Sequence, residues 1–342
     1  MKRQAVILTT IGVLLLIAIV SCGLEKILNT EDSPAIKLYE NKNTMMLQNS
    51  KFAYVRTLKT GHISSSQIFI CNFDGNDEHQ LTNSPGVNFH PSWSPDGTKI
   101  VFVSLWENNP VNKREIVGPN SDIYIMNEDG SNQIRLTFEP GEDSWPCWSP
   151  DGTKIAFQST RNRNSYIEYQ IYTINPDGSD LQLITPDGGA YPSWSPDGSR
   201  IMYAWYDGIE IINANGKNRY LLGTDEYDVC PAWSPDGSKI VYKSMRGGHK
   251  DSPSVWWVMD INSKEQKQIT DDVLPYTPNH PLGTLNWSPD GQKLVYTSFI
   301  VISGDLYRTV QVGIHVMDPD GSNNIQLIPN IGGDRIAWWA PR

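Results

Sequence analysis

Trp93-Ser94-Pro95-Asp96-Gly97-Thr98-Lys99-Ile100-Val101-Phe102 is the phrase that decides the fold, because its opening Trp-Ser-Pro-Asp-Gly returns at Trp148, Trp194, Trp233 and Trp287. The intervals are 55, 46, 39 and 54 residues, and a further 52 lead to a degenerate copy, Trp339-Ala340-Pro341-Arg342. Each full copy runs into an alternating apolar stretch such as Lys154-Ile155-Ala156-Phe157 or Lys239-Ile240-Val241-Tyr242. Period two with β-branched and aromatic residues predicts strands. Asp-Gly between two such runs predicts a tight hairpin, since Gly accepts the positive φ that the turn demands.

A second phrase lies between the Trp motifs: Ile123-Tyr124-Ile125-Met126-Asn127-Glu128-Asp129-Gly130, Ile171 to Gly178 and Ile314 to Gly321, with weaker versions at Ile68, Ile209 and Val255. Most are followed by a short strand ending in Leu-Thr or Ile-Thr, as at Leu136-Thr137 and Ile184-Thr185. Each unit therefore carries four strands, and four-stranded units at such intervals predict an all-β chain, a six-bladed β-propeller of antiparallel blades. The ends are complementary. Lys51-Phe52-Ala53-Tyr54-Val55 lacks a Trp strand before it, and Ile336-Ala337-Trp338-Trp339-Ala340 lacks a partner after it, so the C-terminal strand is expected to join the N-terminal blade and close the ring.

The chain opens on Met1-Lys2-Arg3 and an apolar run from Ala5 to Val20, too short for a comfortable membrane span and typical of a secretory signal. Ile19-Val20-Ser21-Cys22 resembles a bacterial lipobox, in which a small residue precedes the Cys that receives lipid. The expected organisation is a lipoprotein signal peptide over 1–21, the lipidated Cys22 and a flexible tether over 22–50, and the propeller over 51–342. Cys71, Cys147 and Cys230 remain, too few and too widely spaced for a disulfide framework or a zinc knuckle, and are expected to be buried apolar thiols. With 38 acidic against 28 basic residues the net charge is −10, which excludes the basic footprint that nucleic-acid binding needs.

The Trp-Ser-Pro-Asp-Gly-x-Lys-Ile-x-Phe units, with Ile-Tyr-x-Met-Asn-x-Asp-Gly-Ser between them, resemble the propeller repeats of the TolB family over residues 51 to 342. The resemblance implies the propeller and an envelope setting. TolB carries an α/β domain ahead of its propeller, where this chain has the tether and lipobox. Similar repeats accompany prolyl peptidases and occur in oligogalacturonate lyases.

Candidate chemistry falls on the face opposite the Asp-Gly turns, where loops vary in length. Five residues before successive Trp motifs stand Asn88, Asp143, Gly189, Asp228, Leu282 and Asp334. Asp143, Asp228 and Asp334 would form an alternating acidic ring at the tunnel mouth, able to recruit a cation or a peptide amine. The competing expectation is that each caps its own loop. Phe89, Trp145, Tyr191 and Tyr227 add aromatic rings to the same region, and His90 and His280 add imidazoles. Convergence of His62, His90 and His280 would suit a metal-dependent lyase. The Asp-Gly turns do not read as calcium loops, because Ile184 or Leu327 stands where a bidentate Glu is required. No Gly-x-Ser-x-Gly elbow, Walker loop or His-Glu-x-x-His occurs. The expected protein is a non-catalytic, monomeric, lipid-anchored extracytoplasmic propeller without cofactor or metal. It would bind an envelope protein or peptide at the tunnel mouth through Asn88, His90, Asp143, Trp145, Tyr191, Asp228, His280 and Asp334. The alternative is a carbohydrate-binding module or a propeller-type polysaccharide lyase.

Overall fold

Alternating apolar residues bounded by Gly-containing turns fold here into six separate four-stranded antiparallel sheets. The computed structural model describes residues 51–60, 63–72, 76–84, 86–105, 121–162, 169–225, 228–244, 255–270, 285–302, 308–329 and 338–339. All lie within the compact unit Asn49–Arg342. The expected signal peptide, the Cys22 lipobox and the whole tether over 22–50 fall outside them.

The first blade is assembled from both ends of the chain: β1 (Lys51–Thr60), β2 (Ile63–Asn72) and β3 (His79–Gln80) are joined by β24 (Trp338–Trp339) on the inner side. Phe52 pairs with Trp339 and Ala53 with Trp338, the closure that the complementary ends predict. The second blade is β4 (Val87–Trp93), β5 (Lys99–Leu105), β6 (Asp122–Asn127) and β7 (Ile134–Arg135). The third is β8 (Asp143–Trp148), β9 (Ile155–Ser159), β10 (Gln170–Ile174) and β11 (Gln182–Leu183). The fourth runs β12 (Ala190–Trp194), β13 (Arg200–Trp205), β14 (Gly208–Asn213) and β15 (Tyr220–Leu221). In the fifth are β16 (Val229–Trp233), β17 (Lys239–Ser244), β18 (Val255–Asp260) and β19 (Gln266–Gln268). The sixth holds β20 (Leu285–Trp287), β21 (Leu294–Ile302), β22 (Arg308–Met317) and β23 (Ile325–Pro329). The Trp strands β4, β8, β12, β16, β20 and β24 each contact the next in turn, and β24 returns to β4, so the ring is complete.

The repeated letters have local causes. In every Ser-Pro-Asp-Gly turn the Ser hydroxyl donates to the Asp carboxylate at 2.6 Å, as in Ser94 to Asp96 and Ser288 to Asp290. The same hydroxyl accepts the backbone N–H of the Lys or Arg that starts the next strand, at 2.8–3.0 Å. Those bonds consume the Asp oxygens internally and hold the carboxyls of Asp96, Asp151 and Asp236 below their usual range, and Asp197 at about 2. Asp129, Asp177 and Asp320 are likewise taken up by Ser131, Ser179 and Ser322, so these turns act as scaffold rather than as ion loops. The Leu-Thr and Ile-Thr signature ties strands together: the hydroxyls of Thr82, Thr137, Thr185 and Thr270 accept the third-strand N–H groups of Ile68, Ile123, Ile171 and Trp256 at 2.8–3.0 Å.

Apolar residues of β5, β9, β13, β17 and their third-strand neighbours are buried between blades, where Ile100, Ile155, Ile201, Ile240 and Leu294 are fully covered. Two of the motif Trp indoles latch adjacent blades. Trp148 Nε1 donates to the Ser92 carbonyl at 3.2 Å and Trp287 Nε1 to the Ala232 carbonyl at 3.3 Å.

Candidate functional site: the central cavity

Four inner strands break their own alternation at one equivalent point. His90, Trp145, Tyr191 and Cys230 stand three residues before their motif Trp, each followed by Pro, and all adopt left-handed backbone angles of φ 49°, 55°, 57° and 53°. The strand register slips beside each of them, between Phe89 and Ser92, Ser144 and Cys147, Ala190 and Ser193, and Val229 and Ala232. Pro91, Pro146, Pro192 and Pro231 have no N–H to give the ladder, so a bulge is the local solution. A bulge re-aims side chains, and left-handed non-glycine residues carry a cost of about 1–3 kcal/mol each unless the surroundings enforce them. Here the same device recurs in four consecutive blades.

The side chains so aimed meet. The His90 and Trp145 rings lie 4.1 Å apart and tilted, and Trp145 meets Tyr191 edge-on at 4.9 Å. Trp145 and Tyr191 also pack against the apolar cluster of Cys230, Leu285 and Trp287 from the fifth and sixth blades. Tyr191 is fixed from behind: its backbone N–H donates to the buried Gln158 side chain at 2.9 Å, and Gln158 in turn donates to Ser144. Together with Ser92, Ser193 and Asn286, these residues enclose a central cavity of about 220 Å³. Among the described residues its lining includes no Asp, Glu, Lys or Arg. Burial pushes the Cys147 and Cys230 thiols up to about 12, so both are apolar walls rather than nucleophiles.

The expected mouth residues have varied fates. Asp143 is only 1% exposed, and its carboxylate accepts from the Arg161 guanidinium at 2.7 Å, so this position holds an internal ion pair and not a free charge facing a ligand. Arg161 also stacks over Phe157 and Tyr172, which fixes its direction. Asp228 is fully buried and accepts the Asp225 N–H at 3.0 Å, capping its own loop. Asn88 is buried and bridges blades by donating to Gln67 and Ser84. Phe89 packs partly into the core between the second and third blades. Thus His90, Trp145 and Tyr191 converge, while Asn88, Asp143 and Asp228 are structural neighbours above them. Asp334, His280, His62 and Tyr227 lie outside the described residues. Among the described residues, no three His, Cys, Asp or Glu side chains are grouped as a metal site. Cys230 and Asn286 were not expected to contribute; the signal for Cys230 was Pro231, two residues before its motif Trp as Pro91, Pro146 and Pro192 are before theirs.

Six four-stranded blades in a closed ring, with a cavity lined by inner strands, define this chain as a β-propeller. Its repeats are TolB-like: the family model of the TolB beta propeller domain matches residues 113–272. The protein TolB homolog of Chlorobium chlorochromatii (strain CaD3) is 31% identical over 128 residues, 28% of this chain and 29% of that protein. The aligned stretch thus spans under a third of that relative's length. The crystal structure of TolB from Acinetobacter baumannii superposes with a TM-score of 0.68 at 22% identity, covering 86% of this chain and 67% of that one. An oligogalacturonate lyase in complex with manganese reaches 0.50 at 16% identity over 68% of each chain. At such identities the shared property is the fold.

Proposed function

We infer that this chain is a non-catalytic, extracytoplasmic propeller, lipid-anchored through Cys22, that binds an envelope protein or peptide at the mouth of its central tunnel. The observation that carries the reading is the convergence of His90, Trp145 and Tyr191, from three successive blades, on one cavity through matching left-handed bulges. Aromatic side chains held rigidly around a concavity are what binding hot spots are made of. On the opposite face the Ser-Pro-Asp-Gly turns satisfy their own hydrogen bonds, and the concavity there, lined by Asp236, Lys239, Lys267, Asp290 and Asp320, has Trp287 as its one aromatic residue among the described ones. The likeness to TolB supports an envelope setting, and the apolar leader followed by Ile19-Val20-Ser21-Cys22 supports the anchor. Bacterial lipoproteins carry several acyl chains, which stable membrane retention requires.

The anchor is tested by radiolabelled palmitate in cells. Incorporation lost in Cys22→Ala supports it, and incorporation that persists refutes it. Partner binding is tested by photocrosslinking from position 191 in cells: a discrete crosslinked envelope protein supports the reading, and none refutes it. The carbohydrate reading has less support, because Trp145 meets Tyr191 edge-on and both pack into the core cluster, leaving no open flat platform for a sugar.

A further inference from the structure

The central cavity also has the chemistry of a small-molecule site, independent of any protein at its mouth. Its volume of about 220 Å³ exceeds the roughly 150 Å³ in which an engineered apolar cavity accepts benzene, so a single substituted ring fits. Trp145, Tyr191, Trp256, Trp287 and Leu285 give its wall an aromatic and apolar character. Among the described residues the wall carries unspent donors, the indole N–H groups of Trp93 and Trp256 and the amide nitrogen of Asn286, and of these the Asn286 amide also offers an acceptor beside its donor. A buried donor left without an acceptor is costly, and its persistence in the wall of a concavity marks where a ligand acceptor would sit. Among the described residues the lining has no Asp, Glu, Lys or Arg to compensate a charged ligand for its lost hydration.

We propose that this cavity binds a small uncharged aromatic molecule of the phenol class, with its ring against Trp145 and Tyr191 and its oxygen accepting from Asn286. The amide of Asn286 carries donor and acceptor side by side, so it can also receive the phenol proton. This selects against two near relatives of such a ligand: the hydrocarbon without the oxygen, and the amine that carries a charge.

The test is calorimetric titration of the full chain with p-cresol, toluene and tyramine. One-to-one binding of p-cresol is expected, about fivefold tighter than toluene for one neutral hydrogen bond and at least tenfold tighter than tyramine. In Asn286→Leu the preference for p-cresol over toluene is expected to fall to about one while toluene binding is retained. The ligand series on the unmodified chain decides the matter even if that variant does not fold. No saturable binding of p-cresol, equal affinity for p-cresol and toluene, or tyramine binding as tightly as p-cresol would each overturn the proposal.

Discussion

The Arg161 guanidinium and the Asp143 carboxylate meet at 2.7 Å with side chains only 7% and 1% exposed, so one inner-strand carboxylate of the third blade is spent inside the fold. Removing one partner leaves the other buried and uncompensated, which costs about 3–5 kcal/mol, whereas replacing both with apolar residues is often neutral. Arg161→Met and Asp143→Leu are each expected to lower unfolding free energy by that order, and the double variant to recover most of it. Chemical denaturation of the four proteins in a double-mutant cycle measures this, and additive losses would show that the two side chains do not act as a pair.

Asp122 is the neighbouring buried carboxyl, bonded to Arg135 at 2.9 Å, yet burial outweighs that partner and pushes it up to about 6. Because this folded value lies above the unfolded one of 3.8, the protonated form favours the fold. Its contribution is fully present below about pH 3.8 and lost as pH rises through about 6. Asp143 is shifted in the same direction, by burial first. Asp197, held at about 2 by Ser195 and Ser199, has the opposite sign: its contribution is present above 3.8 and lost as pH falls towards 2. Stability measured from pH 4 to 7 should therefore decline less in Asp122→Asn than in the parent. An unchanged slope would remove Asp122 as its source.

Gly130 lies at φ +82°, and a Cβ there would stand 2.7 Å from the Leu81 carbonyl oxygen of the preceding blade. Gly321 repeats the relationship against the Ile269 carbonyl at 2.6 Å. Gly130→Ala should therefore combine left-handed strain with a backbone clash and destabilise by about 2–3 kcal/mol. By contrast, Gly223, at φ +91° with no heavy atom near its missing Cβ, should lose about 1 kcal/mol on the same change. Thermal melting of the two variants separates the clash from the strain, and equal losses would contradict the inter-blade contact.

Ring closure rests on Trp338 and Trp339 pairing with Ala53 and Phe52. Deleting residues 335–342 should expose the inner edge of β1 and turn one cooperative unfolding transition into a broad or early one. A deletion variant with the parent's melting temperature would show that closure adds nothing.

How much of this was legible in the sequence differs between scaffold and site. The blade count, the strand order within each blade and the closing strand follow from repetition, because the Ser-Pro-Asp-Gly turn carries its own hydrogen bonds and forms identically wherever it appears. The cavity was only half legible. His90, Trp145 and Tyr191 were noted as mouth residues, but strict alternation gave no reason for them to converge. That reason is the bulge forced by Pro91, Pro146 and Pro192, which shifts the register between Phe89 and Ser92 and its equivalents. The acidic positions looked alike in one dimension, yet Asp143 finds Arg161 eighteen residues on, and Asp228 turns back to the Asp225 N–H. Pairings of that kind depend on loop paths, which composition does not encode.

The central claim, that the inner-strand cavity is where a partner is met, is tested most directly by site-specific photocrosslinking in living cells. A benzophenone amino acid placed at Tyr191 is compared with the same group at Gln292, which is exposed on the Ser-Pro-Asp-Gly face. The account predicts a discrete crosslinked envelope protein from position 191 that is lost in Trp145→Ala, and none from position 292. Crosslinking from 292 alone, or from 191 undiminished by Trp145→Ala, would contradict it.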